Sequence, residues 1–247
     1  MKLEFSGNRA LIVGGTCDLA IVLAELMIQE GLFPFLSARN EGGMERIGEN
    51  LKAYDGKYEI VILDFKNPLK ISSVFEGIGE DLDYLVDFAH GDFERLIAAA
   101  NTKDVYCYFE ENISYRAEIL KRAGRAMLRE KKGRLVFVSS AAARKPNPGQ
   151  GFYAAAKLAS EALYRNMGLE LGKKGITTVT LRPGYIQSGR GETYLKPVNG
   201  EAIKKIPIKR ALHPTEVAET VLFFLSESAR GFNATEISLD GGLTAGK

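Results

Sequence analysis

A tyrosine and a lysine stand four residues apart in an alanine-rich stretch, Tyr153-Ala-Ala-Ala-Lys157. In a helix that spacing puts both side chains on one face. A phenol exchanges protons poorly at neutral pH because its unperturbed pKa is ~10. A lysine ammonium ~5 Å away, at an effective dielectric of ~20, stabilises the phenolate by roughly 3 kcal/mol. At ~1.4 kcal/mol per pKa unit, that one charge is worth about two units. Ser140 ends the apolar run Gly133-Arg-Leu-Val-Phe-Val-Ser-Ser140, and ligands sit at such strand ends in open α/β sheets. Its hydroxyl can hold a substrate oxygen beside the phenol, so the three residue types make a proton-delivery site suited to carbonyl reduction. By itself, Tyr-x-x-x-Lys also arises by chance, as a buried tyrosine beside a surface lysine, so the surrounding elements must decide.

Those elements are regular. Short continuous apolar runs read as strands buried on both faces of a parallel sheet. They are Arg9–Val13, Phe33–Ser37, Glu59–Leu63, Asp83–Asp87, Arg134–Val138, Thr177–Leu181 and Glu236–Leu239. Pro34 is tolerable only near its strand's start. Helical periodicity covers residues 19–29 and about 43–53, 68–79, 101–131, 150–172 and 214–227. Seven strands alternating with six helices need crossover connections. The expected fold is therefore α/β: a doubly wound, Rossmann-like, seven-stranded parallel sheet with helices on both faces. No linker, repeat or low-complexity tract divides residues 1–247, so one domain is expected. Residues 187–212, rich in Gly, Lys and Pro, lack clear periodicity and read as a substrate loop or lid; the bland alternative is a surface excursion.

The first strand runs into Val13-Gly-Gly-Thr-Cys-Asp-Leu-Ala20. A helix N-terminus offers free N–H groups and a positive dipole end, which suits a pyrophosphate. The glycine fingerprint is incomplete, since Asp18 and Ala20 stand where later glycines are expected. Alanine at the last position is tolerated in dinucleotide folds. A carboxylate at Asp18 would repel a phosphate unless it caps the helix and points away. After the second strand comes Ser37-Ala-Arg39-Asn40, with no acid between 36 and 40. Such folds place an acid there for NAD and a base for a 2′-phosphate, so Arg39 favours NADP(H), with NAD(H) the alternative. Asp64, after the third strand, is a candidate adenine contact or simply a turn residue.

Composition excludes other classes. Lys and Arg number 33 against 31 Asp and Glu, a net charge of +2, too little for a general nucleic-acid face. Two cysteines ninety positions apart, Cys17 and Cys107, make no disulfide framework, and two histidines make a zinc site improbable. No signal-like h-region opens the chain and no run approaches the ~18 apolar residues of a membrane span. A reducing, cytoplasmic setting is expected, with no metal, nucleic-acid or membrane partner. Glycine, at 26 of 247 residues, exceeds the usual ~7% and needs a use.

Together these stations resemble the short-chain dehydrogenase/reductase family. Ser140 precedes Tyr153 by 13 residues, and Asn112 precedes Ser140 by 28. Arg182-Pro-Gly-Tyr-Ile-Gln-Ser188 looks like the family's Pro-Gly segment, and Ile237-Ser-Leu-Asp-Gly-Gly242 like its last strand and turn. The resemblance implies Tyr153 as the proton donor and Ser140 as the group that polarises the carbonyl. It implies that Lys157 holds the nicotinamide ribose and that Asn112 holds a water linking Lys157 to solvent. It implies a dinucleotide held by Gly14, Gly15, Thr16, Asp18 and Leu19 of the first turn. Arg39, Asp64, Phe65, Ala89 and His90 would join them from later strand ends. Pro183, Gly184, Ile186 and Ser188 would close over the nicotinamide, alongside Tyr153 and Lys157. Asp87-Phe-Ala-His90 departs from the family's Asn-Asn-Ala-Gly, which makes His90 an expected rim residue of an altered cleft.

The stations and Lys209-Arg-Ala-Leu-His-Pro-Thr-Glu-Val-Ala218 look most like 3-oxoacyl-carrier-protein reductases. That implies ketone reduction on a carrier-bound acyl chain and a homo-oligomer, a dimer or tetramer. Arg129, Lys131, Lys132, Lys173 and Lys174 are candidate contacts for an acidic carrier, or helix-end cations placed there by the dipole alone. Rival readings are a reductase or dehydrogenase of a free small molecule and a dinucleotide-binding member without turnover.

Overall fold

Along each inner strand, successive side chains enter opposite faces of the sheet. Ala10 and Ile12 join one buried apolar cluster, and Leu11 and Val13 the other. Two-sided burial is what the unbroken apolar runs demand, and it fixes the register of every central strand.

The computed structural model describes residues 2–64, 68–78, 81–189, 195 and 201–245. The strands are β1 (Arg9–Val13), β2 (Phe33–Ala38), β3 (Glu59–Ile62), β4 (Tyr84–Asp87), β5 (Gly133–Val138), β6 (Ile176–Pro183) and β7 (Thr235–Leu239). They form one sheet in the order β3-β2-β1-β4-β5-β6-β7, every pair parallel. The helices are α1 (Asp18–Gln29), α2 (Glu41–Asn50), α3 (Pro68–Ile78), α4 (Thr102–Phe109), α5 (Tyr115–Glu130), α6 (Gly151–Leu171), α7 (Glu201–Lys204) and α8 (Pro214–Leu225). One face of the sheet packs on α1 and α8 through residues such as Ile21, Leu23, Val217 and Val221. The other packs on α3, α5 and α6 through Ile71, Ile119, Ala123 and Tyr164. The strand order reverses between β1 and β4, and the crevice at such a reversal is where ligands bind in open α/β sheets. No helix among the described residues is long and apolar enough to cross a membrane.

Three differences from the sequence reading have physical causes. The single helix expected over 101–131 is broken by a π-helical turn at Glu110–Ser114. There the Asn112 side chain accepts from Gly91 N at 2.7 Å and donates to the Tyr108 carbonyl at 2.8 Å, tertiary bonds that no periodicity reveals. Residues 187–212 contain α7, and their ends are tied: Ile186 bridges Leu212, and Gln187 N donates to the Leu212 carbonyl at 2.9 Å. Finally, α2 starts two residues early, at Glu41, because Asn40 Oδ1 accepts from Gly43 N at 3.0 Å and caps it. Pro34 takes the second position of β2, within the limits expected of it.

Gly14 illustrates where the glycine surplus goes. Its φ is +79°, and a Cβ there would lie 2.8 Å from Ala89 N, in the loop after β4. An alanine meets both the left-handed penalty and a backbone clash. Gly14→Ala is expected to cost about 2–4 kcal/mol, read as a lower urea midpoint at unchanged m-value.

Candidate functional site

The turn after β1 is anchored to β2 by backbone: Gly15 N donates to the Ser37 carbonyl at 3.0 Å and Gly14 N to Ser37 Oγ at 2.9 Å. Cys17 takes the N-cap position of α1 in extended geometry without a side-chain cap bond. Its carbonyl accepts from Ala20 N at 3.0 Å and from Ile21 N at 3.1 Å. Asp18, expected as a possible cap, is instead the first helical residue, and its Oδ1 pairs with Arg46 Nη2 of α2 at 2.6 Å. Burial raises the Cys17 thiol to about 11, and the Asp18 carboxylate pushes in the same direction.

A cavity of about 450 Å³ opens at the C-terminal end of the sheet. Thr16, Asp18 and Leu19 line it from the α1 end, and Pro183, Gly184, Ile186 and Ser188 from beyond β6. Between them Ser140, Tyr153, Lys157 and His90 share its wall. The structure thus collects into one cleft most residues that the sequence singled out. Gly14, Gly15 and Ala89 lie behind this wall as packing: a Cβ on Gly15 would meet Leu36 and Ser37 within 3 Å. Arg39 is exposed just beyond β2, and neither it nor Asp64 is part of the cavity wall. Phe65 falls outside the described residues.

The reactive face belongs to α6. Tyr153 and Lys157 are both buried, and the Lys157 ammonium sits 5.8 Å from the Tyr153 ring centroid. Lys157 Nζ donates to the Val138 carbonyl at 2.9 Å, which pins the ammonium at the end of β5. Ser140 Oγ accepts from Ala142 N at 3.1 Å, so the turn orients the hydroxyl while its proton stays available to a ligand oxygen. His90 presents its ring edge-on to Tyr153, centroids 5.7 Å apart, and its Nδ1 lies 3.2 Å from the Phe88 carbonyl. It lines the cavity in direct contact with the tyrosine.

Asp87 belongs to a buried network that the sequence did not show. Its Oδ2 accepts from Arg116 Nε at 2.7 Å and from the Tyr164 hydroxyl at 3.1 Å, and its Oδ1 accepts from Ala89 N at 2.9 Å. Arg116 also donates to the carbonyls of Ala89 and Asn112 and, at 3.0 Å, to Ser160 Oγ. Burial opposes the charge on Arg116, but the Asp87 carboxylate outweighs it and holds the guanidinium above its usual range. Burial, with Asp87 alongside, pushes the Tyr164 phenol well above its own. The Asn112 backbone carbonyl therefore already accepts from Arg116, so any water held there shares that oxygen, while the Ser160 hydroxyl donates to the Ala156 carbonyl at 2.7 Å.

A second buried cluster ties α6 to β6 and to the end of β5. Glu161 accepts from Ser139 Oγ at 2.6 Å and takes a two-point contact from Arg182, at 2.8 and 2.5 Å. Sequence reasoning also missed Arg46, Lys145, Asn147 and Gln150 in the cavity wall. Nothing in their spacing marks them, because they come from α2 and from the irregular segment before α6. The basic residues suggested for carrier docking flank the starts of β5 and β6, at the N-terminal end of the strands and away from the cavity at their C-terminal end. Lys132 there is engaged with Asp83 at 2.9 Å.

Removing one partner of a buried ion pair costs about 3–5 kcal/mol, because the other charge is stranded. Asp87→Asn and Arg116→Met are each expected to lose that much by denaturant unfolding. The double variant should lose at least ~2 kcal/mol less than the sum. In thiol labelling at pH 8, the protonated Cys17 should react well after the exposed Cys107, followed by peptide mass spectrometry.

Residues 18–244 match the family model described as Enoyl-(Acyl carrier protein) reductase. The chain is 26% identical to the 3-oxoacyl-(acyl-carrier-protein) reductase FabG of Salmonella typhimurium, over 98% of this chain and 99% of that one. It is equally similar, at 26%, to the FabG of Vibrio cholerae, with the same coverage. A solved short chain dehydrogenase/reductase family protein superposes over the whole of both chains with a TM-score of 0.87 at 25% identity. With the fold, the Ser140–Tyr153–Lys157 cleft and a family match over nearly its whole length, the chain belongs to the short-chain dehydrogenase/reductase family of oxidoreductases.

Proposed function

We propose that this oxidoreductase reduces the ketone of a 3-oxoacyl thioester to a secondary alcohol with NADPH, the acyl group being carried by an acyl carrier protein. The observation that carries the reading is the buried Tyr153–Lys157 pair on α6, sharing one cavity with Ser140 and with the α1 N-terminus. The donor set fits a dinucleotide: first-turn N–H groups without a side-chain cap, a glycine turn and a Pro-Gly segment at a strand-order reversal. Thr16, Leu19, Pro183, Gly184, Ile186 and Ser188 would hold it, and bound there it supplies the hydride.

The remaining chemistry belongs to the chain. Ser140 donates its hydroxyl proton as a hydrogen bond to the substrate carbonyl, polarising it and fixing it beside Tyr153. Tyr153 delivers the proton to the alkoxide oxygen as it forms. The Lys157 ammonium, 5.8 Å from the Tyr153 ring centroid, favours the resulting phenolate, by roughly 3 kcal/mol for a charge separation of ~5 Å at an effective dielectric of ~20. Asn112 holds the π-turn against Gly91, which keeps the loop after β4, and with it His90, at the cavity rim.

Arg39, with no acid between positions 36 and 40, supports NADPH over NADH. An acidic carrier approaching the cavity meets Lys145 in its wall, rather than the lysines at the opposite end of the strands. Exposed Leu96, Ile97 and Tyr106 beside and on α4, with Leu158 and Leu169 on α6, suit burial against a second copy of the chain.

Removing a positioned general acid typically costs 10²–10⁴ in rate. Tyr153→Phe should lower kcat for NADPH-dependent reduction of a 3-oxoacyl thioester by that factor, leaving NADPH affinity within about threefold. Turnover near wild type would exclude Tyr153 as the proton donor.

A further inference from the structure

Asp18 is the charge that a phosphate-binding turn should not tolerate. It occupies the first position of α1, in the wall of the cavity, where the helix dipole would otherwise attract an anion. The structure supplies the missing compensation from another element. Arg46, in the second turn of α2, reaches across so that its Nη2 meets Asp18 Oδ1 at 2.6 Å, and both residues line the cavity.

The pair is not a device of the fold. Its side chains are 52% and 40% exposed, and an ion pair in such surroundings contributes little to stability. It is a single-point contact, so Asp18 occupies one of the five N–H donors of a planar guanidinium. A phosphate is the ligand that such a fork matches best, through two parallel charge-assisted hydrogen bonds. Arg39, the cation that the sequence offered for this task, is exposed and is not part of the cavity wall.

We propose that Arg46, positioned by Asp18, is a phosphate-recognising residue for the adenosine half of the dinucleotide. This rests on the dinucleotide reading above. With Arg46 in place, Asp18 serves as its anchor; without Arg46, Asp18 becomes a bare negative charge facing the phosphate. Two sources offer this chemistry, the pyrophosphate bridge and a 2′-phosphate, and comparing NADH with NADPH separates them.

The test is equilibrium binding of NADPH and NADH, without substrate, by ligand fluorescence on the intact protein. Wild type, Arg46→Gln and Asp18→Asn/Arg46→Gln are compared after their unfolding midpoints are matched. Arg46→Gln should weaken binding tenfold or more, and the double variant should recover at least threefold of that loss, because the repelling carboxylate is gone. A loss shared by both dinucleotides assigns Arg46 to the pyrophosphate, and a loss confined to NADPH assigns it to the 2′-phosphate. Affinities for both ligands within twofold of wild type in Arg46→Gln would overturn the proposal. A wild-type protein that binds neither dinucleotide would instead overturn the reading on which it rests.

Discussion

The Asp87–Arg116 ion pair is the interaction around which the site is assembled. Both groups are buried at the end of the central strand β4, where taking two charges from water is costly. That cost is offset only because nearly every hydrogen-bonding position is used. The guanidinium reaches the loop after β4, the π-turn and α6 in addition to Asp87, and the carboxylate reaches back to the same loop and to Tyr164. One charged cluster therefore sets the relative positions of the loop carrying His90, the turn carrying Asn112 and the helix carrying Tyr153 and Lys157. The Phe137 ring extends the arrangement, with Arg116 5.1 Å and Lys157 4.8 Å from its centroid and Tyr164 stacked on it. The Lys157 ammonium is thus placed by the same aromatic ring that supports the Arg116 guanidinium.

Much of this was legible in the sequence, and the limits have a common cause. Strands buried on both faces announce themselves as unbroken apolar runs, so all seven were found within a residue or two of their ends. Ser140, Tyr153 and Lys157 were legible because their spacing is local, one on a strand end and two on a helix face. Asp87 and Arg116 lie 29 residues apart on different elements, and no pattern in the chain links them. The π-turn is hidden for the same reason. Residues 101–131 carry an uninterrupted helical period, and only the bonds of Asn112 to Gly91 and Tyr108 make the break worthwhile.

Asp18 shows how a local anomaly can point beyond itself. Read in the chain alone, a carboxylate in the cofactor turn argued for a weakened grip or for a helix cap. The structure offers a third resolution, a cation from α2 that no spacing rule connects to position 18. Gly14 and Gly15, expected among the residues that hold a dinucleotide, also serve packing, since their missing side chains let the turn lie against Ala89 and Ser37.

The two halves of the cleft are held by different physics, and this bears on how each can change. Ser160, Glu161 and Tyr164 follow Lys157 by three, four and seven residues, so they share its side of α6. Through them α6 is clamped to β4, β5 and β6 by buried charges and hydroxyls. A substitution that strands one of these buried charges is costly, so the face carrying Tyr153 and Lys157 is intolerant of piecemeal change. The turn from Gly14 to Leu19 is held by backbone bonds to β2 and by a solvent-facing ion pair, whose members can be exchanged at little cost to folding. The Asp18–Arg46 pair can therefore change at little cost to folding, whereas the clamped face of α6 that carries Tyr153 and Lys157 cannot.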